Sequence, residues 1–144
     1  MNYILDTDMI TLLSRRESAE AIRIDRRIVA LGDGDFAVTS VITYEEQMRG
    51  WMALLAGKKS GIPEVDVYDR LLKHIEFYRH ITVIAYDSTA AGICAELQKQ
   101  RMRIGRMDMK IAAIALAVGA VIVTRNSRDF SKVPNLRIED WSVE

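Results

Sequence analysis

The sequence predicts an α/β domain whose parallel sheet is covered by helices on both faces. Short β-branched apolar runs alternate along the chain with longer segments of helical period. The strand-like runs are separated by helices, so they pair through right-handed crossovers into a parallel sheet. Turn signals are local, at Gly32-Asp33-Gly34-Asp35, Gly57-Lys58-Lys59-Ser60-Gly61-Ile62-Pro63 and Pro134-Asn135. None of them reads as a linker, which leaves one domain over residues 1–144.

The elements follow in order. Residues 2–6 read as a strand, 8–15 as a helix and 18–31 as a second helix. Phe36-Ala37-Val38-Thr39 is a short strand. Thr43-Tyr44-Glu45-Glu46 has capping-box spacing, with Thr43 at the N-cap of a helix over 43–56. A helix over 65–79 precedes the strand Ile81-Thr82-Val83-Ile84. Helices follow at 88–101 and 107–118; in the second, Ala112, Ala113 and Ala115 permit close approach to the sheet. Val121-Ile122-Val123 is a strand and Leu136-Arg137-Ile138 an edge strand, with Thr124–Phe130 read as a turn.

Composition narrows the class. Of 144 residues, 49% are hydrophobic, enough for one packed core. No apolar run reaches the roughly 20 residues that cross a bilayer, and the first residues lack the basic flank of a signal peptide. Cys94 is the single cysteine, so no internal disulfide forms; a buried thiol in a reducing cytoplasm is expected. Formal net charge is +0, which argues against non-specific attraction to nucleic acid through overall charge. From residue 101 onward, however, eight cations (Arg101, Arg103, Arg106, Lys110, Arg125, Arg128, Lys132, Arg137) face five acids (Asp108, Asp129, Glu139, Asp140, Glu144). His74 and His80 belong to no zinc pattern and read as surface or interface residues. Trp51, Met52, Leu54 and Leu55 read first as core, with an exposed partner surface over part of the stretch as the alternative.

Four acids sit where strands end or helices begin: Asp6, Glu46, Asp108 and Asp129. In an α/β domain those places share one face, where ligands bind. Each acid also has a structural explanation as a cap or turn residue. Gathered together, they would repel one another unless a cation or proton neutralised them. Thr7 could position a water or phosphate oxygen, and Asp8 is a helix-start acid. Arg106, Arg125 and Arg128 are candidates for phosphate contacts, and Thr124 and Asn126, in the same turn as two of them, are candidates for substrate binding as well.

The ordered set resembles the PIN-domain family, and within it the VapC-type toxins of bacterial toxin–antitoxin pairs. The matching stretches are Tyr3-Ile4-Leu5-Asp6-Thr7, Ser40–Glu46, Ile104-Gly105-Arg106-Met107-Asp108 with Ile111-Ala112-Ala113, Val123–Phe130 and Val133–Trp141. Gln47 departs from the family, where a Leu usually follows the helix-start Glu. The resemblance implies a three-layer α/β/α sandwich with a mostly parallel sheet, a homodimer, and a VapB-type antitoxin whose tail lies in a groove near the site. It also implies Mg²⁺- or Mn²⁺-dependent endoribonuclease activity on tRNA or other structured RNA. Asp6 and Asp108 would then be primary metal ligands, with Glu46 and Asp129 holding metal waters or a second cation.

Two rivals remain on the sequence. A haloacid-dehalogenase-type phosphatase would use Asp6-Thr7-Asp8 and the acidic loop Gly32–Asp35, although Ile10 and the early loop fit poorly. A non-catalytic PIN-like binding protein would use the acids as caps alone.

Overall fold

The computed structural model describes residues 1–57 and 61–144, so part of the Gly57–Pro63 turn signal lies outside the described residues. The elements are β1 (Asn2–Leu5), α1 (Thr7–Ser14), α2 (Ala19–Val29), β2 (Phe36–Ser40), α3 (Val41–Leu55) and α4 (Glu64–Tyr78). They continue as β3 (Val83–Ile84), α5 (Ser88–Lys99), α6 (Arg106–Val118), β4 (Val121–Val123), α7 (Ser127–Phe130) and β5 (Arg137–Glu139). The sheet has five strands in the order β3-β2-β1-β4-β5. Every pair is parallel, with Ile4 opposite Val38 on one side and Ile122 on the other. No helix among the described residues is long and apolar enough to cross a membrane.

Alternation along the strands builds two apolar layers. Ile4, Val38 and Ile122 face α5 and α6, where Ile111, Ala112, Ile114, Cys94 and Leu97 pack. Leu5 and Val123, one residue on, face α1 and α2 through Met9, Ile10, Leu12 and Ile24. Ile4, Leu5, Ile122 and Val123 are fully buried, and each contributes about 1.5–3 kcal/mol by leaving water. Ala112, Ala113 and Ala115 of α6 are fully buried too, which lets that helix lie close on the sheet.

The strand order creates the crevice. From β1 the chain moves outward through β2 to β3, then returns to the opposite side of β1 for β4 and β5. Connections leave β1 and β4 in opposite directions, so a cleft opens beyond their carboxyl ends. Leu5 and Val123 are paired there, and Asp6 and Thr124 follow them directly.

Four expectations are corrected. The cap of α3 is Ser40, whose side chain accepts from the Thr43 amide at 3.2 Å, so Glu46 lies beyond the first turn and makes no capping box. Ser127–Phe130 is a short helix, α7, rather than a turn. His74 is buried among Tyr44, Trp51 and Tyr78, with ring centroids 5.8, 6.0 and 4.7 Å away. Trp51, Leu54 and Leu55 are only half-buried and Met52 is exposed, so the core reading of that stretch gives way to the exposed surface the sequence also allowed.

The closing segment is tied into the second layer. Trp141 is fully buried, tilts against Tyr3 at 5.3 Å between centroids, and donates its indole N–H to Glu139 at 2.6 Å. Arg27 lies over the Trp141 ring and pairs with the same Glu139 carboxylate at 3.0 Å. Trp141→Ala is expected to lower unfolding free energy by about 3–5 kcal/mol in urea titration. A loss below about 1 kcal/mol would mean the segment is a tail rather than part of the core.

Candidate active site

Asp6 stands at the floor of the cleft. It is the N-cap of α1, and its Oδ1 accepts from the Met9 amide at 2.9 Å. The capping role anticipated from sequence is thus real, but it uses one oxygen. The other, Oδ2, accepts from the Thr124 hydroxyl at 2.5 Å across the β1–β4 junction. Thr124 in turn accepts from the Asn126 amide at 2.9 Å, which fixes the hydroxyl's direction. Asp6 is 5% exposed, and burial pushes its carboxyl up to about 6. The Thr124 and Met9 hydrogen bonds oppose that rise, and the charges of Asp8 and Asp108 add to it.

The remaining acids arrive from three helices. Asp108 lies in the first turn of α6, where the helix dipole favours an anion. Its carboxyl is nevertheless held above the ordinary range, by burial first and then by the charge of Glu46, with Asp129 adding less. Glu46 on α3 accepts from the Thr7 hydroxyl at 2.6 Å, and Thr43 Oγ1 lies 3.2 Å from the same hydroxyl. Asp129 on α7 accepts from Asn126 Nδ2 at 3.1 Å, and the same nitrogen reaches Asp108 Oδ2 at 3.3 Å. Asn126 thus bridges two acids. Asp129 is held below the ordinary range, by Asn126 first and then by Lys132.

The four acids therefore share one electrostatic neighbourhood, Asp6 through Asp108, and Asp108 through Glu46 and Asp129. Among the described residues, no three His, Cys, Asp or Glu side chains already form a metal-holding group. Thr124, Thr7 and Asn126 occupy carboxylate oxygens instead. The donor set is all oxygen, the chemistry that a hard divalent cation prefers. Burial first, and neighbouring acids after it, hold Asp6 and Asp108 above the ordinary range, and the neutral donors do not offset the rise.

The cations divide. Arg106 and Arg128 are exposed on the first turns of α6 and α7. Arg125 is exposed but engaged: its Nε and Nη2 donate to Asp8 at 2.7 and 3.3 Å. Two residues were not singled out from sequence as site residues. Asp8 holds Arg125, and Lys132 pairs with Asp129 at 3.1 Å. The signal for Lys132 was available, since it lies one helical turn beyond Asp129. The acidic loop needed by a phosphatase lies at the other end of β1, where Asp35 pairs with the amino terminus at 3.1 Å. That placement removes the phosphatase reading.

The geometry can be set beside known proteins. A family model described as PIN domain matches residues 3–136. The tRNA(fMet)-specific endonuclease VapC of Shigella flexneri is 33% identical, covering 99% of both chains. Ribonuclease VapC2 of Haemophilus influenzae is 33% identical, covering 98% of each. Among solved structures, VapBC-1 from nontypeable Haemophilus influenzae superposes with a TM-score of 0.78 at 28% identity, covering 99% of this chain and 100% of that one. DNA-bound VapBC from Salmonella typhimurium gives 0.70 at 28% identity, covering 98% of each.

The raised Asp6 carboxyl has a consequence for stability. The folded state holds its proton up to about pH 6, whereas the unfolded chain releases it near 3.8. The contribution is complete below the unfolded value and is lost as pH rises through the folded one, so ionised Asp6 opposes folding at neutral pH. Asp6→Asn is expected to stabilise the metal-free protein by about 2–3 kcal/mol at pH 7.5, with the gain vanishing near pH 4. Thermal melts across that range test it; an Asn variant melting below wild type at pH 7.5 would refute it.

Proposed function

The chain belongs to the PIN-domain family, in its VapC branch, and from that premise we propose how it works as the ribonuclease toxin of a toxin–antitoxin pair. We infer that Asp6, Asp108 and Glu46 hold a divalent cation, Mg²⁺ or Mn²⁺, against the phosphodiester of an RNA. The observation that carries this reading is the crevice itself. Acids from the end of β1, from α3 and from α6 meet where the strand order reverses, and their side-chain partners are the neutral donors Thr124, Thr7 and Asn126.

The chemistry supplied by such an ion, when bound, is acidification of water and neutralisation of charge at the scissile phosphate. The chain's own residues prepare the site. Thr124 directs Asp6, and the Met9 amide fixes the other oxygen of the same carboxylate. Thr7 holds Glu46 toward the cleft. Asn126 sets the separation of Asp108 and Asp129. Arg106 and Arg128 stand at the mouth as phosphate contacts, which position a substrate without reading its sequence. Arg125 would reach a phosphate only by sharing or leaving Asp8. No histidine takes part as a base: His74 lies with the aromatic side chains of α3 and α4 instead. The relative from Shigella flexneri is named for tRNA(fMet), and we carry tRNA over as the substrate class to test first.

The structural relatives include toxin–antitoxin complexes, and this chain has a surface for the same kind of partner. A groove between α1, α2, α3 and α4 is floored by Ile10, Leu13, Trp51, Leu54 and Phe77. We assign it to the apolar face of an antitoxin segment. On the far side of α4, Val65, Tyr68, Leu72 and Ile75 form an exposed apolar row at helical spacing. We assign that row to a second copy of the chain. Leu72→Glu should convert a dimer to a monomer in light scattering; an unchanged mass would remove the row from the interface.

Cleavage of a total-tRNA pool by antitoxin-free protein tests the activity. Wild type should cut in Mg²⁺ or Mn²⁺ and stop when the ion is chelated. Asp108→Asn should lower the rate by at least about a hundredfold while remaining folded by circular dichroism. Cutting by that variant at wild-type rate would take Asp108 out of the site. Cutting by wild type in excess chelator would end the metal-dependent reading.

A further inference from the structure

We propose that the cleft takes one divalent cation rather than two, and that the ammonium of Lys132 stands in place of the second by neutralising Asp129. The inference rests on the metal-dependent reading above and deepens it.

The geometry around Asp129 differs from that of the other three acids. One of its oxygens meets a cation: Oδ1 accepts from Lys132 Nζ at 3.1 Å, while Oδ2 accepts from Asn126 Nδ2 at 3.1 Å. The lysine is anchored from a second side, because Nζ also donates to the Arg103 carbonyl at 2.9 Å. That carbonyl belongs to the segment leading into α6, the helix that carries Asp108. Two fixed acceptors, one a carboxylate, hold the ammonium against the cleft wall.

No such cation serves the others. Among the described residues, Asp6, Glu46 and Asp108 form no ion pair, and their side-chain partners are Thr124, Thr7 and Asn126. Negative charge is therefore uncompensated on the side formed by β1, α3 and α6 and compensated on the side formed by α7. A divalent ion is drawn to the first side. A second ion beside Asp129 would face a like charge in direct contact with its ligand. An ammonium has three N–H donors, and two are used. The third is free for a phosphate oxygen, and the side chain is 37% exposed. Lys132 can thus neutralise phosphate charge on that side without a metal.

Manganese titration of antitoxin-free protein tests the inference, read by calorimetry and by the electron paramagnetic resonance of free Mn²⁺. Wild type should bind one ion. Lys132→Met should bind two, the second more weakly, and Lys132→Arg should return to one. Asp129→Asn should keep the affinity of the single ion within about tenfold, as expected for a group outside the direct ligands. Circular dichroism confirms that each variant is folded. Two ions on wild type that still cleaves RNA would overturn this inference and leave the nuclease standing. One ion on folded Lys132→Met would overturn it as well. No ion on folded wild type that also fails to cleave would overturn both readings together.

Discussion

The hydrogen bond from Thr124 to Asp6 joins the two halves of the molecule at the floor of the proposed site. Asp6 ends the first half of the sheet and Thr124 begins the segment beyond β4, 118 residues later. The contact exists because Leu5 and Val123 are in register on adjacent parallel strands. Register fixes the distance, and the two residues that follow inherit it. Asp6 then starts α1, while Thr124 orients Asn126, which spans Asp108 and Asp129. One strand pairing therefore positions acids from β1, α6 and α7.

That arrangement sets stability against function. A carboxylate buried at a strand end, with further acids beside it, is a poor choice for a stable apo fold. The fold supplies neutral donors and a helix N-terminus, which moderate the charge without cancelling it. Incomplete compensation is what leaves affinity for a cation. A better neutralised cleft would be more stable and less able to bind one.

The strands and the four acids were legible in sequence because they obey local rules. A strand end followed by Asp, or an acid in the first turn of a helix, is visible without neighbours. What depended on choosing between local rules went astray at α3. Thr43 and Glu46 satisfy capping-box spacing, but Ser40 stands three residues earlier and ends β2 directly. The helix starts there because the strand stops there. Ser127–Phe130 reads as turn because Asn126, Ser127 and Asp129 are turn formers, and a single helical turn carries too little periodicity to overrule them. His74 was beyond reach for a different reason: its burial depends on Tyr44 and Trp51 in α3, a contact that no spacing within α4 encodes. The partners of Arg125 and Lys132 likewise decide their roles, since an arginine on Asp8 and a lysine on Asp129 are not free surface cations.

A neutral chain that handles RNA has to concentrate its attraction. With formal net charge +0, long-range steering by the whole molecule is absent, and affinity depends on cations near the cleft. Arg106 and Arg128 open the two helices that flank it, and Lys132 lies one turn past Asp129. Their charges also act inward, since Arg128 and Lys132 both lower the Asp129 carboxyl. The same residues that would meet phosphate thus set which acids remain available to a metal.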